Sequence, residues 1–212
     1  MPSGTVKVQF QDLEQQTHAA ELGMWAFMAS EVLFFSGLFA LYGAYRLQYG
    51  SAFSQAVQHT DLTLGTANTF ILLTSSFLVA VAIHGVRAAW RRSTIGWLLG
   101  GTIALGAVFL ALKILEYVHH FHEGFYPGPA YSNTELTGRG PRIFFDLYYG
   151  MTGLHAVHVT VGLVLLGWVW MQVRRGSIDA RYHTPLELSG IYWHFVDIVW
   201  VFLWPMFYLM RS

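Results

Sequence analysis

The sequence predicts an all-α integral membrane protein: five transmembrane helices in one domain at 22–212, after a short polar segment at 1–21. Two observations carry that expectation. Of the 212 residues, 54% are hydrophobic and only 11% are charged, far below the roughly 25% charged of a typical soluble domain. The apolar residues also gather into five stretches, each near the roughly 20 residues that a helix needs to cross a bilayer. These stretches are too long and too uniformly apolar for soluble strands, and a helix satisfies its own backbone polar groups in lipid.

The spans fall at about 22–46, 62–86, 95–119, 143–172 and 188–210. The segment before the first, MPSGTVKVQFQDLEQQTHAAE, lacks an apolar core behind a charged start and does not read as a cleavable signal peptide. The fourth span is long enough to tilt or to project from the bilayer. The connections at 48–61, 87–93, 121–141 and 174–185 are short apart from the Gly/Pro-rich third, and no internal repeat or interdomain linker is visible. Gly96 and Gly100 in the third span have the GxxxG spacing that permits close helix approach, although glycine is common in membrane helices.

Twelve Lys+Arg balance twelve Asp+Glu, so no basic excess argues for nucleic acid. Cysteine is absent, which removes disulfides, thiolate ligands and cysteine nucleophiles. With the N-terminus cytoplasmic, that side collects Lys7, Arg87, Arg91, Arg92, Arg174, Arg175 and Arg181, and the other side keeps Arg46, Arg139, Arg142 and Arg211. The excess of basic residues predicts an N-in, C-out topology.

Function is to be sought among ionisable residues inside the spans, where each costs several kcal/mol unless it is paired or faces a cavity. Glu31 lies near mid-membrane in the first span. It reads either as structural glue to another helix or as a proton-handling or regulatory carboxyl. In the third span, Lys113, Glu116 and His119 follow at three-residue spacing and are expected to share one face as an interfacial ion-pair cluster. Glu-x-x-His is half of a di-iron signature, but the second half is missing.

His155 and His158 share a face of the fourth span, and His194 and Asp197 share one of the fifth and could pair directly. The four are expected to form a polar network between those helices. No two histidines stand out at matched depth for haem, and no metal ligand set is expected. His119, His120 and His122 are expected to be solvated at a membrane edge. Arg174 and Arg175 are candidates for lipid head-group contacts. No phosphate loop, nucleophile elbow or HExxH is present.

Taken together these residues resemble subunit III of the haem–copper terminal oxidases. Ser30-Glu31-Val32-Leu33-Phe34-Phe35, Asn68-Thr69 with Leu72-Leu73, and Leu115-Glu116-Tyr117 are similar to family segments. So are Gly153-Leu154-His155 with His158-Val159, and Trp193-His194-Phe195-Val196-Asp197 with Trp200.

The resemblance implies a non-catalytic subunit of a bacterial inner-membrane respiratory complex. Haem and copper are expected in its partners, subunits I and II, and the chain would support proton uptake and protect the catalytic subunit. Glu31 would correspond to the family's carbodiimide-reactive glutamate. The match covers the last five helices of a seven-helix long form. The family's lipid cleft, made with the first two helices, therefore cannot form within this chain alone, although bound phospholipid remains an expectation. Quinol oxidases and nitric oxide reductase accessory proteins are alternatives in the same superfamily; Asp at the Glu31 position is frequent in the quinol type, so Glu31 favours a cytochrome c oxidase. An independent haem-carrying or transport protein is the contrasting class.

Overall fold

The computed structural model describes residues 11–180 and 182–211. They form six α-helices: α1 (Leu13–Gln48), α2 (Gly50–Gln58), α3 (Leu62–Arg87), α4 (Arg92–His122), α5 (Arg139–Arg175) and α6 (Thr184–Trp204). A π-helical turn, Pro205–Leu209, follows α6. No strand occurs among the described residues, only an isolated bridge between Asp179 and Tyr182. Five helices, all but α2, are long and apolar enough to cross a membrane. Lys7 and Arg181, used for the charge bias, lie outside the described residues.

The helix ends follow local chemistry. Asp12 opens α1 by accepting from the Gln15 amide at 2.7 Å, and Asp61 opens α3 by accepting from Thr63 and Leu64 at 2.8 and 3.1 Å. Such caps satisfy amides that have no partner within the helix. Helix α1 thus begins well before the expected boundary at 22. Helix α5 stops at Gly176, whose φ of 77° is the left-handed conformation open to glycine. At 37 residues, α5 is about 55 Å long, against roughly 30 Å of hydrocarbon. It therefore projects, and its Asp146 accepts from the Gly128 amide at 2.5 Å to hold the loop between α4 and α5.

Helices α3, α4, α5 and α6 close a four-helix ring, each packing on the next and α6 returning to α3. Helix α1 leans on α5 and α6 from outside and keeps almost all of its surface out of the bundle. The amphipathic α2 seals one end of the bundle, with Phe53, Ala56 and Val57 buried and Phe53 edge-on to Phe144.

Two tryptophans of α6 fill the ring. Trp193 donates to Ser75 Oγ and Trp200 to Thr69 Oγ1, both at 3.0 Å, so neither buried indole N–H is orphaned. Space for Trp193 comes from Gly106 and Gly162, where an added Cβ would stand 2.8 and 2.7 Å from its ring. The Gly96–Gly100 pair works differently from a helix–helix contact. It receives the Trp170 indole, whose N–H donates to the Gly96 carbonyl at 2.9 Å.

Gly162→Ala is expected to destabilise the bundle by about 1–3 kcal/mol, because a fixed ring cannot yield as a flexible side chain would. Gly150→Ala, with nothing within 4 Å, should be neutral or slightly stabilising. Thermal denaturation in mild detergent, followed by helical circular dichroism, separates the two.

Candidate functional site

Three polar constellations lie inside the spans, each built by side chains from different helices. The first ties α1 to α5. Glu31, about 27 Å along α1 at the helical rise, meets His158: Glu31 Oε2 and His158 Nε2 are 3.1 Å apart. The imidazole is held from behind, with Nδ1 2.9 Å from the Leu154 carbonyl and Phe35 edge-on to the ring. The His158 carbonyl accepts from the Tyr192 hydroxyl of α6 at 3.1 Å. Both partners are mostly buried, with side chains 19% and 15% exposed. Farther out, α1 is fastened by the Tyr42 hydroxyl donating to the Met206 carbonyl at 2.6 Å.

The second constellation is the most deeply buried. Lys113 Nζ donates to Glu116 Oε2 at 2.8 Å, to the Tyr148 hydroxyl at 2.8 Å and to the Tyr208 hydroxyl at 2.9 Å. Glu116 Oε1 accepts from Tyr208 at 2.7 Å. All three ammonium protons and both carboxylate oxygens are used, the condition under which a buried pair is tolerable. Tyr208 enters because Pro205, which lacks an amide proton, ends the α-helical ladder of α6 and the chain continues as a π-turn. Gly65 leaves the room its ring needs, since a Cβ there would stand 2.7 Å away.

This differs from the interfacial cluster expected at Lys113, Glu116 and His119. The Lys113–Glu116 pair is present but sealed, at 3% and 1% exposure, whereas His119 turns outward and pairs with Glu123 at 3.2 Å. Residue His120, expected to be solvated, is the histidine buried against Phe145 and Tyr148.

The third constellation lies between α3 and α6. His194 Nδ1 is 2.6 Å from Ser76 Oγ. Asp197 is buried, and neither carboxylate oxygen has a hydrogen bond of normal geometry; the same Ser76 is among its polar neighbours.

The expected network of His155, His158, His194 and Asp197 is therefore corrected. His158 turns to α1 and His194 to α3, each taken by a partner on another helix. His155 is buried with both ring nitrogens unpartnered, packed against Phe109 and Trp200 at ring distances of 5.7 and 5.2 Å. Sequence reasoning missed Ser76, Tyr148 and Tyr208; for Tyr208, the proline before the end of the last span was the available signal.

On the face of α4 and α5, a groove of about 570 Å³ is lined by Arg92, Gly96, Trp97, Gly100, Trp170 and Arg174. The Arg174 guanidinium lies 5.0 Å from the centre of the Trp170 ring. Arg175 is exposed and does not line the groove. Among the described residues, no three His, Cys, Asp or Glu side chains are grouped to hold a metal ion.

A sequence profile described as Cytochrome c oxidase subunit III matches residues 7–212. The chain belongs to this family. It is 33% identical over 190 residues to "Cytochrome c oxidase subunit 3" of Thermostichus vulcanus, covering 89% of this chain and 86% of that one. Over the same length and shares it is 30% identical to "Quinol oxidase subunit 3" of Bacillus spizizenii. "Probable quinol oxidase subunit 3" of Staphylococcus aureus USA300 is similar at 30% over 204 residues, 93% of this chain and 94% of that one. The family is that of a subunit of a multi-subunit haem–copper oxidase, and with its five apolar helices this member is a multi-pass membrane protein.

Proposed function

We propose that this chain is the accessory subunit III of a bacterial haem–copper oxidase, seated in the cytoplasmic membrane beside subunits I and II, which carry the haem and copper. It holds no redox centre of its own and acts by steadying proton uptake and the catalytic subunit. The observation that carries this reading is the Glu31–His158 pair. It is a mostly buried acid–imidazole contact at mid-depth, joining an otherwise loosely packed α1 to the bundle. Such a joint can transmit or resist movement of α1, but it offers no electron-transfer centre.

Cytochrome c is the donor favoured by glutamate at position 31. The quinol-oxidase relatives support the second reading, in which a quinol donates. Oxygen uptake by the purified complex, driven in turn by reduced cytochrome c and by a quinol, decides between them: the first reading expects turnover with cytochrome c. Co-purification without any haem-bearing subunit would defeat both readings.

The α4–α5 groove suits a phospholipid head group, because Arg92 and Arg174 present cations beside an apolar trench walled by Trp97 and Trp170. The basic bias of one side supports a cytoplasmic N-terminus. Because the chain has no cysteine, Ser93→Cys and Ser132→Cys can be labelled singly in intact cells. An impermeant maleimide is expected to reach Ser132→Cys from outside and Ser93→Cys only after lysis; the opposite pattern reverses the topology.

A further inference from the structure

Most mid-membrane ionisable groups of this chain are accounted for within it. Lys113, Glu116, His120, His155 and Asp197 are sealed inside the bundle, and Glu31 and His158 face each other. Among the described residues His194 is different. Its Nδ1 is bonded to Ser76, whereas its Nε2 has no hydrogen-bond partner among the described residues and is not among the buried orphan atoms. The residue is only partly buried. It lies ten residues into α6, about 15 Å from its start, at a depth where lipid offers acyl chains and no hydrogen-bonding group.

The surroundings form a continuous face. On α6, Ile198 and Val201 follow His194 at helical spacing, 56% and 41% exposed. On α3, Leu73 stands one turn from Ser76 and is 47% exposed. The result is an apolar seam that runs away from one unsatisfied ring nitrogen. Apolar side chains alone would suit lipid, but an open imidazole nitrogen would not. Across membrane helices, polar side chains find one another because hydrocarbon cannot satisfy them.

We propose that the α3–α6 seam beside His194 is a docking face for a membrane-spanning helix of another oxidase subunit, which presents a hydrogen-bonding side chain to His194 Nε2 at mid-depth. Membership in a multi-subunit oxidase family supplies the partner class. Ser76 holds the ring so that Nε2 faces outward, and Ile198, Val201 and Leu73 supply the apolar contact next to it. This inference rests on the accessory-subunit reading above.

The test uses the assembled oxidase in its membrane. A photo-crosslinking benzoylphenylalanine replaces Ile198 or, separately, Leu73, and the complex is illuminated before purification. Adducts to a transmembrane segment of a different subunit are expected from both positions. His194→Leu should lower the adduct yield at Ile198 and, by removing one interhelical hydrogen bond, weaken subunit retention about threefold in detergent. His194→Gln, which keeps a hydrogen-bonding group, should restore most of both, and this separates docking from a folding defect. Adducts to lipid alone, or to a second copy of this chain, would overturn the proposal. Failure of the chain to co-purify with any haem-bearing subunit would instead overturn the functional reading on which it rests.

Discussion

Lys113→Met is expected to destabilise this subunit by about 3–5 kcal/mol, the cost of leaving a buried charge without its partner. The change strands the Glu116 carboxylate, which is 1% exposed, with Tyr208 as its remaining hydrogen-bond donor. Glu116→Leu should cost a similar amount by stranding the ammonium. The double variant Lys113→Met/Glu116→Leu should recover most of the loss, because an apolar pair of similar volume is often as stable as a buried ion pair. Unfolding in a graded detergent mixture gives all three values. If each single variant lost less than about 1 kcal/mol, the cluster would be hydrated and not the sealed clamp described here. The clamp joins α4, α5 and the π-turn, so its loss should also free the C-terminal turn to proteolysis.

The second large effect is expected at Glu31. Glu31→Ala leaves His158 Nε2 without its partner, and orphaning a mostly buried polar group costs about 1–3 kcal/mol. Helix α1 has few other fastenings on this side, so the loss should appear as loosening of α1. In the assembled oxidase the initial rate of oxygen reduction should be close to that of the parent, whereas sustained turnover should decay several-fold sooner. Glu31→Gln keeps a group that can bond the imidazole and should preserve both. The time course of oxygen uptake checks this. Complete loss of the initial rate in Glu31→Gln, with the complex assembled, would make Glu31 part of the chemistry and not a joint.

The five spans were legible in the sequence because hydropathy reports directly on solvent, and lipid-facing helices need little else. Helix α2 was not. Its nine residues, GSAFSQAVQ, are too short and too mixed to stand out, and their burial depends on Phe144 far along the chain.

The site residues divide the same way. Glu31, Glu116, His158 and His194 could each be singled out, because an ionisable group in an apolar run is costly wherever it points. Their partners could not be read from spacing. The i,i+3 relation of His194 and Asp197 made them neighbours on one helix, but Ser76 of α3 lies 118 residues from His194 and takes the ring nitrogen. Likewise His155 and His158 share a turn, yet Glu31, 127 residues away, decides what His158 does. For Lys113 and Glu116 the spacing did give the pair, but its burial comes from Tyr148 and Tyr208 on other elements.

The central claim is that this chain supports an oxidase without carrying any of its redox centres. It is tested most directly by haem and copper content, read from the reduced-minus-oxidised visible spectrum and metal analysis of the complex purified with this chain and without it. The same haem and copper per catalytic subunit are expected in both preparations. Loss of a haem or a copper in step with loss of this chain would contradict it.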